Sequence, residues 1–198
     1  MFQNRLLKAI ILGYFLIFGI TLIAQIKDCS IDYEQKTDTT YIKKTNNVLV
    51  YERVFGNSKE LVFFSLINSD GIALLEVQQI QKSTDFIPSF CVDKNSKIIF
   101  QLENGKFVTL IHSKNNVCST LNYDNESKSN IRILTSYFYF ARENFEELKV
   151  SPLSIMRIKY VGDKKDIILK NKIESEMMKE TYIPSNYFID YLHCIDTK

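Results

Sequence analysis

From Val48 onward, apolar and polar residues mostly follow the period of two that marks half-buried strands. Val48 to Phe55 is rich in Val, Tyr and Phe. Leu61 to Ile67 and Ile72 to Ile80 flank Asn68-Ser-Asp-Gly71, a turn sequence that closes hairpins. Lys97 to Leu102 and Lys106 to His112 flank Asn104-Gly105, the strongest short hairpin signal. Ile131 to Ala141 reads as a long aromatic strand, and Ile155 to Val161 with Asp166 to Leu169 flanks a third turn at Gly162-Asp163. Helical periodicity is scarcer. Asn144 is placed to cap a short helix through Leu148, which the restriction before Pro152 stops. Phe188, Tyr191, Leu192 and Ile195 recur at i, i+3, i+4 and i+7, with Ser185 as the expected cap. Lys172 to Glu180 is a further helix candidate, and residues 25–46 read as a polar lead-in with one edge strand. The pattern predicts an α+β fold. Its mainly antiparallel β-sheet is built from hairpins, with a short middle helix and a C-terminal helix.

The first residues have a different pattern. Arg5 and Lys8 precede a charge-free apolar run from Ala9 to Ala24, which Lys27 and Asp28 end. The run is shorter than the roughly 20 apolar residues a spanning helix needs. It has the form of a secretory signal, with the cut expected between Ala24 and Gln25. The chain then divides into a signal at 1–24 and one domain at 25–198. Cys29 follows Lys27 and Asp28, not the small apolar residues of a lipoprotein signal. Contact with the membrane is expected only through the signal, during export. Without that segment Lys plus Arg falls from 25 to 23, equal to the 23 Asp plus Glu. A neutral chain argues against a nucleic-acid partner, because phosphate binding needs an excess of cations.

All four cysteines lie beyond the signal, an even count that suits an oxidising compartment and two disulfides. Strand register chooses among the three pairings. If Asn104-Gly105 is a two-residue turn, paired positions sum to 209. Leu102 then faces Phe107, Phe100 faces Thr109, and Ile98 faces Ile111 on one buried face. The same sum brings Cys91 opposite Cys118, and Cys29 is left to Cys194.

No catalytic, cofactor or metal residue is assigned. Cys-x-x-Cys, His-Glu-x-x-His, glycine-rich phosphate loops and the Gly-x-Ser-x-Gly elbow are all missing from the sequence. His112 and His193 each have a cysteine nearby, Cys118 and Cys194. Disulfides beside ordinary histidines are favoured over Cys–His nucleophiles, since a catalytic thiol must stay reduced. Asp124-Asn-Glu126 reads as a solvated loop. Aromatic residues are abundant, with 14 Phe and 11 Tyr but no Trp. Tyr137 and Tyr139 share one strand face, which suits either a ligand platform or, the favoured reading, a strand buried on both sides.

Leu22-Ile-Ala-Gln25, Lys106-Phe-Val-Thr-Leu-Ile-His112, Ser151-Pro-Leu-Ser-Ile-Met-Arg-Ile-Lys159 and Asn186-Tyr-Phe-Ile-Asp-Tyr-Leu-His-Cys-Ile195 together resemble small exported proteins of unknown function common in Bacteroidota. The resemblance implies a Gram-negative envelope, hence a periplasmic or secreted protein, and carries no site residues. The expected function is a non-catalytic binding or structural module of the envelope, with no cofactor. The alternative is an envelope hydrolase with carboxylates brought together by the fold. A deep pocket with two perturbed acids would favour the hydrolase, and an exposed aromatic surface the binder. Mass spectrometry of exported protein is expected to find a chain beginning at or close to Gln25. Full-length chain held in the inner membrane would overturn that reading.

Overall fold

The computed structural model describes residues 27–113, 115–141 and 145–196. The segment read as a signal, its expected cleavage site and the proposed cap Asn144 lie outside them. The strands are β1 (Ile31–Lys36), β2 (Tyr41–Thr45), β3 (Val48–Phe55), β4 (Ser58–Ser69), β5 (Ile72–Ser83), β6 (Cys91–Val92), β7 (Lys97–Leu102), β8 (Phe107–His112), β9 (Val117–Cys118), β10 (Thr120–Asp124), β11 (Ser129–Tyr139), β12 (Leu153–Lys159), β13 (Lys164–Ile168), β14 (Ile173–Glu174) and β15 (Thr181–Tyr182). A short helix, Phe145–Val150, precedes β12. The chain closes on a 3-10 turn, Pro184–Asn186, an α-helix, Tyr187–Tyr191, and a second 3-10 turn, Leu192–Ile195. The main sheet runs β1-β2-β4-β5-β11-β8-β7-β12-β13, with β3 beside β4 and β10 beside β11, all antiparallel.

The sheet is coiled around one core. Val62 and Phe64 of β4 share a cluster with Met156 and Ile158 of β12 and Ile167 of β13, strands far apart in the order. Phe188 enters this concave face from the C-terminal helix. Its ring lies 5.3 Å from Phe100, 5.7 Å from Phe140 and 6.3 Å from Phe64. Phe188, Leu192 and Ile195 of the predicted stripe are buried, and Tyr187 is buried beside them. Ser185 does not cap this helix, because Pro184–Asn186 forms a 3-10 turn first and no side chain caps either segment.

The turns explain where register agrees with the sequence reading and where it does not. Ser69 pairs with Ile72 around Asp70-Gly71, both at positive φ, the conformation a tight two-residue hairpin turn requires. At Asn104-Gly105 the loop has three residues. Gly105, at φ +82°, donates its N–H to Leu102 O at 3.0 Å, and Leu102 N–H bonds Lys106 O. Ile98 therefore pairs with Leu110 and Phe100 with Val108, one residue away from the expected register. A one-residue slip turns a strand over. Val108, Leu110 and His112 are buried, whereas Phe107 and Ile111 are 65% and 57% exposed. Farther along, Cys91 nevertheless pairs with Cys118. Between Val92 and Ser96 lie three residues, and between His112 and Val117 four, so the extra residue restores the offset.

Two other segments depart from expectation. Residues 172–180 form no helix: Ile173 pairs with Tyr182 across a small hairpin. Ile173 is drawn into an outer-face cluster with Leu49, Leu61 and Phe63, and Glu52 accepts the N–H of Glu176 at 2.7 Å and the hydroxyl of Ser175. The lead-in holds two strands, β1 and β2, not one.

His112 is 2% exposed, edge-on to Phe138 at 5.2 Å. Burial pushes its imidazole below the ordinary 6.5, against the opposing influence of Asp93. A folded value below the unfolded one leaves this contribution to stability intact above about pH 6.5 and removes it as pH falls through the folded value. The melting temperature is expected to drop between about pH 7.5 and about pH 5.5, and to drop less in His112→Phe. Phe188→Ala should cost about 3–5 kcal/mol by urea unfolding, because the aromatic cluster cannot collapse around the void.

Candidate functional site

The inner face changes character along its length. Across β4, β5 and β11, cross-strand rows read Leu66–Leu75–Phe138, Phe64–Val77–Ser136, Val62–Gln79–Leu134 and Glu60–Gln81–Arg132. Side chains two apart share a strand face, so the apolar interior gives way to carboxylate, amide and guanidinium at one end. β3 extends the last row, with Arg53 opposite Glu60. The facing wall supplies Lys165, which ion-pairs with Glu60, and Tyr160, whose hydroxyl donates to Gln79. Burial raises the Tyr160 phenol well above its usual range, so it stays a neutral donor. Gln79 is 2% exposed, and its amide nitrogen has no partner.

This polar end is open. A cleft of about 390 Å³ lies between the β3–β4 turn and residues 85–88, with Arg53, Glu60 and Gln81 in its lining. Phe55 and Phe86, 74% and 77% exposed, flank it. A second cavity of about 300 Å³ shares Gln81 and Pro88 and reaches Tyr160 and Lys165. The lip is anchored from below. Arg132 Nε donates to Ile87 O at 2.7 Å and its guanidinium also reaches Ser119 O at 3.2 Å. Asn130 donates to Asp85 O, and Phe90 and Ser119 exchange backbone and hydroxyl bonds. The Cys91–Cys118 disulfide staples the two strands that leave the lip.

The residues singled out in the sequence lie elsewhere. Cys29–Cys194 and Cys91–Cys118 are disulfides, spanning 165 and 27 residues. His112 is in the core. His193 lies against the first disulfide, its Nε2 3.2 Å from Cys29 Sγ. Asp124 is no simple solvated acid: Lys82 at 2.8 Å and the Ser127 hydroxyl at 2.5 Å hold it well below the usual carboxylate range. Tyr137 and Tyr139 stand on the outer sheet face, 38% and 43% exposed, while Phe138 points into the core. The strand is therefore not buried on both sides: its outer face carries these exposed tyrosines near the Lys44–Glu76 ion pair, whereas Leu61 and Phe63 are covered by Ile173.

Sequence reasoning missed Arg53, Glu60, Gln79, Gln81, Arg132 and Lys165. A signal existed: Leu75-x-Val77-x-Gln79-x-Gln81 and Ser58-x-Glu60-x-Val62-x-Phe64 each turn polar at one end of a single strand face. Comparison with known proteins finds no matching family model, curated protein or solved structure.

Removing a partner from a mostly buried ion pair leaves the other charge uncompensated. Lys165→Met is expected to cost about 2 kcal/mol by urea unfolding, and adding Glu60→Gln to recover most of it. Equal loss in single and double variants would show that the pair is not coupled.

Proposed function

We propose that this protein is an exported binding module of the cell envelope, periplasmic or secreted, that takes a small polar ligand at the open end of its coiled sheet. The observation that carries this reading is the row Arg53–Glu60–Gln81 in the lining of a cleft flanked by Phe55 and Phe86, with Arg132, next in the row, holding the lip from below. Such a lining offers donors and acceptors in fixed places, and exposed aromatic rings supply apolar contact at the rim. The anchored lip means that little ordering remains for binding to accomplish. The two disulfides suit an oxidising compartment. Among the described residues no helix is long and apolar enough to cross a membrane.

Glu60 and Asp85 both line the cleft, which keeps the hydrolase as the second reading. The bond from Lys165 to Glu60 favours binding, since it occupies an oxygen that a general acid or base would need. Panels of oligosaccharides and short peptides, titrated while backbone amide shifts are followed, test the proposal. Shifts are expected in residues 53–60, 81–90 and 160–165, and Gln81→Leu with Phe86→Ser should weaken them at least tenfold. Shifts confined to the Tyr137–Tyr139 face would move the site there. Turnover of a panel member that Glu60→Gln abolishes would make the protein a hydrolase.

A further inference from the structure

We propose that Cys29, Cys194 and His193 form a thiol–disulfide exchange site whose reactant is a dithiol. The inference is independent of the cleft. His193 Nε2 lies 3.2 Å from Cys29 Sγ and 3.6 Å from Cys194 Sγ, so the imidazole sits over the disulfide itself. Neither sulfur of a disulfide carries a hydrogen. A hydrogen bond in this contact can run only from a ring N–H to sulfur, which is the tautomer the proposal uses, with the proton on Nε2. Cys194 is buried, at 4% exposure, whereas Cys29 belongs to an exposed stretch of chain. The two sulfurs consequently have different roles, one open to attack and one placed to leave.

Exchange rates rise with access to the attacked sulfur and with stabilisation of the departing thiolate. A thiolate of the dithiol attacks Cys29 Sγ. The S–S bond breaks and its electron pair leaves on Cys194 Sγ, which takes the Nε2 proton of His193 while solvent protonates Nδ1. The dithiol's second thiolate then attacks its own sulfur in the mixed disulfide, and Cys29 leaves as a thiolate that solvent protonates. The dithiol is oxidised by two electrons and the Cys29–Cys194 pair is reduced by two. The event removes the covalent tie between residues 27–30 and the C-terminal segment that fills the core.

The molecule contains its own control. Cys118 is also exposed, but no imidazole contacts Cys91–Cys118 among the described residues, and the other histidine, His112, is buried against Phe138. Oxidised exported protein is exposed to limiting dithiothreitol, quenched by alkylation at intervals and mapped by peptide mass spectrometry. Cys29 and Cys194 are expected to be labelled about tenfold faster than Cys91 and Cys118. In His193→Gln the first pair should slow about tenfold while the second keeps its rate, and free imidazole should restore part of the loss in His193→Ala. Equal reduction of both disulfides in the unmodified protein would overturn the proposal. So would a His193→Gln variant whose first pair opens as fast as before, or faster, since that would reveal a packing role alone.

Discussion

The structure depends on burial of the inner face of the coiled sheet by the last helix of the chain. Phe64, Phe100 and Phe138 all point into the same concavity, and Phe188 and Leu192 fill it. Neither partner stands without the other. A five-residue α-helix has no stability of its own, and an open concave face of this kind would leave a large apolar surface in water. The Asn68 amide donates to Ile195 O at 2.9 Å, and Cys194 is tied to Cys29, so both hydrogen bonding and covalent chemistry hold the plug. In the chain-entropy model a loop this long adds about 5 kcal/mol, and the shorter Cys91–Cys118 loop about 3.5.

That arrangement makes the two ends of the interior unequal. At one end aromatic and aliphatic side chains interlock. At the other, Glu60, Gln81 and Arg132 share a row and need hydrogen-bond partners or water. Lys165 and Tyr160 meet part of that demand, and backbone carbonyls of the lip satisfy Arg132. The same bonds that make the polar row tolerable also fix the loop above it. A buried Gln79 amide nitrogen is left without a partner, the kind of unmet donor a bound ligand or water can satisfy. Stability and a preformed cleft thus come from one set of contacts.

The two disulfides serve different parts of this design. Cys91–Cys118 lies just beyond the lip and holds it at its base. Cys29–Cys194 joins the two extremities of the described chain next to the plug, where Lys27 also lies over the Tyr191 ring at 4.9 Å. Its neighbour His193 comes from the same short turn as Cys194, so one local structure supplies both the leaving sulfur and the proton.

The sequence by itself determined the longer strands from β3 onward, their hairpin turns and the apolar stripe of the last helix, because period and turn chemistry are local properties. Asp70-Gly71 sets its own register through two positive φ angles. Asn104-Gly105 marks a hairpin equally well, but whether its loop holds two or three residues is settled by which face of β8 the core accepts. Leu110 and Val108 fit among Phe100 and Phe188, and Phe107 and Ile111 face outward. Residues 172–180 carry enough helical pattern to mislead, and distant partners draw them into a hairpin: Glu52 accepts from Ser175 and Glu176, and Ile173 packs with Leu49, Leu61 and Phe63. The candidate site was least legible. Arg53, Glu60 and Gln81 meet across two consecutive hairpins, but Arg132 and Lys165 join them only through the long-range pairing of β11 with β5 and the closing of the facing wall. Spacing along a chain cannot encode that adjacency, since it reflects the packing of the whole sheet around Phe188.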